Sequence, residues 1–159
     1  MCSAARSALA GSWRPGLRTG SRRSTSPPRS GTPSPRRGGE GLVIGAEHEP
    51  RKVASARRNL RRAGLEDHAE IREGDLRETL RGLEGPVDFM LIDLWIPMAL
   101  PALDLVTPVL RPGALVICDK VISGRRGYAE YLARVRDPDG PFVSVTIPGR
   151  GGLEISMKR

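Results

Sequence analysis

Four acids follow four short strand-like runs in this sequence. Glu47 comes after GLVIGA, Asp75 after AEIREG, Asp93 closes VDFMLID and Asp119 closes ALVICD. A carboxylate placed there can accept hydrogen bonds from the adjacent hydroxyls of a ribose, ligate a cation, or cap the element that follows. For Glu47 the ribose reading stands beside that of a loop acid near the dipole of the next helix. Asp75 follows Gly74 and can cap a helix beginning at Leu76, or lie near the base of a nucleotide. Asp93 and Asp119 end consecutive strands, so they converge at one edge and could share a divalent cation, although two carboxylates alone are few ligands for one.

The elements that must hold these acids follow from periodicity. GLVIGAE is a short apolar run of the kind buried on both faces of a sheet. Pro50 opens a helix in its first turn, and Val53, Ala56, Leu60 and Ala63 continue it at helical spacing to Gly64. The unit then recurs. AEIREGD precedes a short helix from about Leu76 to Leu83, and VDFMLID a proline-interrupted one from about Pro97 to Leu110. Arg111-Pro112-Gly113 turns the chain into ALVICD, and RRGYAEYLARVR makes the next helix. FVSVTIP and GLEISMKR, around a glycine-rich turn, read as a terminal β-hairpin. Such alternation predicts an α/β fold, a doubly wound and mostly parallel sheet, with a ligand beyond the carboxyl ends of its strands.

Charge divides the chain differently. Of the first 39 residues, 27 are Arg, Ser, Pro or Gly and none is acidic, which predicts a disordered tail over 1–39 and a folded domain over 40–159. Eight Arg in that tail leave 18 basic against 18 acidic residues in the body, so the net charge of +8 belongs to the tail. A basic arm can bind nucleic acid non-specifically, but the neutral body, with few aromatics, disfavours that function. Cys2 and Cys118 suggest neither a disulfide framework nor a zinc site, and no apolar run reaches a membrane span. The expectation is a cytoplasmic protein without a membrane partner; a homodimer stays open.

In this order the four acids carry a resemblance. From Gly41 onward the chain resembles class I S-adenosylmethionine-dependent O-methyltransferases, the group that includes catechol O-methyltransferase and its small bacterial relatives. The matching stretches are VIGAEHEP, IREGDLRETL, LIDLWIPMALPALDLVTPVLRPGALVICD and GGLEISMKR. The resemblance implies a Rossmann-like fold with S-adenosylmethionine as cofactor and a small-molecule hydroxyl as acceptor. It implies that Gly45, Glu47, Gly74, Asp75, Leu76 and Asp93 line the cofactor, with Glu47 on its ribose and Asp75 and Leu76 by its adenine. It places Asp93 and Trp95 at the methyl-transfer site, and Asp93 and Asp119 as the acids that bind Mg²⁺ in metal-dependent members; Lys120, where the chain departs from the family, completes the expected catalytic set.

Three departures accompany it. Lys120 follows Asp119 where metal-dependent relatives have Asn, and an ammonium has donors but no acceptor for a metal. Lys120 is therefore expected to supply a cation in the metal's place. Ile96 stands where catechol-type enzymes carry a Lys that can act as general base, and an alkyl chain takes no proton. The third departure is the first strand, expected just before GLVIGAE with its glycine-rich turn. Residues 16–37 show nothing strand-like, so the domain is expected to be partial and to lack its central strand. Translation out of frame, a degenerate enzyme, or a strand supplied by a partner chain would each explain that loss. The expected function is methyl transfer to an oxygen of a small molecule, impaired if the strand is absent. The alternatives are an inactive remnant without cofactor binding and nucleic-acid binding through the tail.

Overall fold

A computed structural model of the chain describes residues 5–11 and 41–159. Seven strands form one sheet in the order β3-β2-β1-β4-β5-β7-β6. They are β1 (Ala5–Gly11), β2 (Gly41–Glu47), β3 (Ala69–Glu73), β4 (Val87–Asp93), β5 (Leu110–Asp119), β6 (Phe142–Ile147) and β7 (Leu153–Lys158). The first five run parallel, and β7 lies antiparallel between β5 and β6, which makes the expected terminal hairpin.

The expected absence of the first strand is corrected. Ala5–Gly11 fills the central place, with Ala8 opposite Ile44 of β2 on one side and Met90 of β4 on the other. Averaging composition over 39 residues had concealed SALAG, a short apolar run ending in Gly like the one in β2. The physical reason is that β2 and β4 offer backbone donors and acceptors to any extended segment between them, and leaving those groups unpaired would be costly. The sheet therefore begins within the segment assigned to a disordered tail. The rest of that expectation lies outside the described residues.

Helix α1 (Pro50–Ala63) follows the sequence closely. Pro50 sits in its first turn, and Gly64 ends it at φ 66°, with its N–H bonded to the Arg61 carbonyl and that of Leu65 to Leu60. The later helices are shorter than expected. Helix α2 spans only Leu76–Thr79, while Pro97 and Pro108 confine α3 to Ala99–Val106 between two 3₁₀ turns. Helix α4 covers Ala129–Arg136. Arg111-Pro112-Gly113 lies inside β5 rather than before it, where the β4–β5 register shifts.

Right-handed crossovers place α1 on one face of the sheet and α2 and α3 on the other, because the chain steps one way across the sheet from β2 to β3 and the opposite way from β3 to β4 and β5. The main core lies on the second face. Ile44, Met90, Ile92, Val116 and Cys118 pack there with Leu103 and Val106 of α3 and Leu132 and Val135 of α4. No helix among the described residues is long and apolar enough to cross a membrane.

Candidate active site

Strand order reverses between β1 and β4, and in open α/β sheets ligands sit beyond the carboxyl ends of the strands at that point. Gly11 ends β1 there, in register with Asp93 at the end of β4, while the Glu47 end of β2 lies on its other side. Asp119 ends β5 beside Asp93, since Ile92 pairs with Cys118 one residue earlier. The structure thus brings Glu47, Asp93 and Asp119 to one edge, as their spacing predicted.

Glu47 is only half engaged. One carboxylate oxygen accepts the Glu49 N–H at 2.9 Å, whereas the other, Oε2, is buried with no hydrogen-bond partner among the described residues. Gly45 lies within β2, and Gly74 closes the β3 end through its N–H to the Glu47 carbonyl at 3.0 Å. Gly74 adopts φ 132°, a conformation that a side chain would strain.

Asp75 caps α2, accepting the Arg77 N–H at 2.9 Å. The Arg77 guanidinium also grips both carboxylate oxygens, and this holds the acid down to about 2. Its role as a helix cap is therefore directly visible. Leu76 turns into the core beneath it.

Lys120 reaches both acids of this edge. Its Nζ lies 3.4 Å from Asp93 Oδ1 and 3.2 Å from Asp119 Oδ2, and its backbone N–H donates to Asp119 Oδ1 at 2.8 Å. The hydrogen bond to Asp119 and the charge of Asp93 raise the ammonium's pKa above its ordinary value. Lys120 has φ 62°, the only positive φ of a non-glycine residue among those described. That conformation is fixed locally: its carbonyl accepts the Gly124 N–H and the Ser123 hydroxyl, while the Gly151 and Gly152 carbonyls bind the N–H groups of Val121, Ile122 and Ser123.

These residues do not fit a divalent cation. Asp93 and Asp119 are two carboxylates with a positive ammonium against both, and a Mg²⁺ ion would have to displace it. No group of three or more His, Cys, Asp or Glu suited to a metal occurs among the described residues.

Trp95 follows β4 by two residues and is 86% exposed, outside the core. Ile96 is held differently. A Cβ on Gly127 would meet its Cγ2 at 2.6 Å, so the 121–127 loop closes on Ile96 through glycine. Cys118 is buried, and burial pushes its thiol up to about 12, which makes it a core residue. Sequence reasoning missed Gly11 and the positioning role of Gly151-Gly152. The apolar run before Gly11 signalled the first, but the second depends on a contact between distant segments.

Comparison with known proteins agrees with this geometry. A family described as a methyltransferase domain matches residues 34–121. Catechol O-methyltransferase from Mycobacterium tuberculosis is 34% identical over 115 residues, covering 72% of this chain and 50% of that protein. A catechol O-methyltransferase from Niastella koreensis is 34% identical over 86 residues, 52% of this chain and 39% of its own. This chain thus spans half or less of the length of these curated relatives. An O-methyltransferase from Streptomyces achromogenes involved in tomaymycin synthesis, solved in complex with SAM, superposes with a TM-score of 0.72 at 16% identity. That match covers 98% of this chain and 73% of the other and reports on the fold. With more than half of its residues inside the family match, and with the strand order and edge acids described above, the chain belongs to the class I S-adenosylmethionine-dependent O-methyltransferase family.

Proposed function

We propose that this chain binds S-adenosylmethionine at the carboxyl edge of β1, β2 and β4 and transfers its methyl group to an oxygen of a small molecule. The observation that carries the reading is Glu47 Oε2, a buried carboxylate oxygen without a donor among the described residues. Such an atom is costly unless something supplies the missing hydrogen bond, and the adjacent hydroxyls of a ribose are donors of the right kind. The names of the relatives and the SAM bound by the Streptomyces enzyme point the same way.

In this reading Glu47 holds the ribose. Gly45 and Gly74 keep the neighbouring backbone free of side chains, and Asp75 and Leu76 lie by the adenine. Asp93, Trp95 and Lys120 face the acceptor. The chemistry is an in-line displacement at the sulfonium methyl, accelerated by holding the acceptor oxygen in near-attack contact. Bound cofactor supplies the methyl group; the protein supplies position.

Calorimetric titration of the chain with S-adenosylmethionine and with S-adenosylhomocysteine tests this. Saturable binding is expected, with Glu47→Gln weakening it about tenfold or more, the scale of a lost charged hydrogen bond. Absence of saturable binding by the intact chain would leave an inactive remnant as the better description.

A further inference from the structure

We propose that Lys120 is an internal cation that replaces a divalent metal in this site and binds a single acceptor oxygen through its remaining N–H. The acceptor class would then be a molecule presenting one ionisable hydroxyl, such as a monohydric phenol, rather than a vicinal diol. This rests on the methyltransferase reading and adds to it the means by which the acceptor is held.

An ammonium has three N–H donors. Asp93 Oδ1 accepts one at 3.4 Å, Asp119 Oδ2 is an ion-pair partner at 3.2 Å on the side of a second, and no other described residue engages the ammonium. The side chain is 62% exposed, so that donor is open to a ligand at the strand edge. The backbone cannot easily carry the ammonium away. Lys120 is held at φ 62°, and the Gly151 turn is so close that a Cβ there would meet Lys120 Cα at 3.4 Å and Cγ at 3.3 Å.

The consequence for recognition is a matter of valence. A metal between two carboxylates keeps several open positions and can chelate two adjacent oxygens. An ammonium with one free N–H offers one point of attachment. It also offers a charge-assisted hydrogen bond to an oxyanion, the form of the acceptor that attacks. The acceptor's O–H proton leaves to solvent, its oxygen pair forms the new O–C bond, and the S–C bond breaks with its electrons returning to sulfur. Lys120 stays protonated throughout, and the thioether of the cofactor is the other product.

The experiment uses the full chain and two variants. Lys120→Asn suits the left-handed backbone, which Asn tolerates better than most residues, and it replaces the ammonium with an oxygen ligand. Lys120→Arg keeps a cation. Mn²⁺ binding is followed by calorimetry, S-adenosylmethionine binding by the same method, and methyl transfer with labelled cofactor to a monohydric phenol and to catechol, each with and without EDTA. Wild type and Lys120→Arg are expected to bind Mn²⁺ at least tenfold more weakly than Lys120→Asn. Wild type should methylate the monohydric phenol in preference to catechol and be indifferent to EDTA. Lys120→Asn should lose that preference at unchanged cofactor affinity. Tight Mn²⁺ binding by wild type, inhibition by EDTA, or equal Mn²⁺ affinity in wild type and Lys120→Asn would overturn the proposal. If S-adenosylmethionine fails to bind wild type, the methyltransferase reading fails on that measurement, while the Mn²⁺ comparison still decides whether Lys120 excludes a metal.

Discussion

The side chain of Ile122 occupies the space that a Cβ on Gly152 would need, and the Gly152 carbonyl accepts the Val121 N–H at 3.1 Å. The turn before β7 is thereby locked to the loop after β5, and Lys120 begins that loop.

Gly152→Ala tests this lock. Gly152 has φ 80°, so the methyl group adds backbone strain to a clash with Ile122. We expect a loss of about 1–3 kcal/mol in urea denaturation. Acceptor turnover should fall while affinity for S-adenosylmethionine holds, since Glu47 lies on the far side of β1.

The same hairpin carries a buried charge. Glu154 is fully buried, and its carboxylate accepts Arg136 Nε at 2.7 Å, Arg136 Nη2 at 2.8 Å and Thr146 Oγ1 at 2.6 Å. Arg136→Met strands that carboxylate. The cost is expected near the lower end for a broken buried pair, about 2–3 kcal/mol, because the guanidinium is itself partly exposed. Burial raises the pKa of Glu154, but the bonds from Arg136 and Thr146 outweigh it and leave the acid below its ordinary value of 4.5. The pair's contribution is then complete above that value and is lost as pH falls through the lower folded-state pKa. Denaturation of both proteins at neutral and strongly acid pH should show the difference between them shrinking on acidification.

Asp75 titrates at about 2 because Arg77 bonds to it through side chain and backbone. In Arg77→Ala its carboxyl should return toward the ordinary 3.8, read by carbon NMR of the labelled residue. The sign follows from the depressed pKa: the stabilisation is present above 3.8 and disappears as pH falls toward 2. An unchanged titration in Arg77→Ala would show that the cap geometry alone depresses the acid.

Ala8→Pro addresses the central strand. Ala8 pairs with Ile44 on one side and Met90 on the other, and proline there removes an N–H from a strand with no free edge. A loss of about 3 kcal/mol or more is expected, seen as a lower melting temperature. A melting curve identical to wild type would mean that β1 contributes nothing to the sheet.

Local chemistry is legible wherever a few neighbouring residues decide the outcome. Pro50 and Gly64 bound α1 because one tolerates a missing N–H and the other a positive φ. The acids after the strand runs pointed to one sheet edge because strand ends in an α/β sheet share one side. Helices α2 and α3 were overestimated because periodic apolar residues continue past Thr79, and through Pro97 and Pro108, where the backbone no longer holds an α-helix.

By itself, then, the sequence determined the alternation of strand and helix, the limits of α1, and which acids reach the sheet edge. Only the tertiary structure decided that Ala5–Gly11 is a strand, because strand membership is settled by the partners on either side rather than by the segment's own composition. Tertiary structure likewise decided what Lys120 touches. Its ammonium meets Asp93, 27 residues away in sequence, only once β4 and β5 pair in register and the Gly151-Gly152 turn closes behind it.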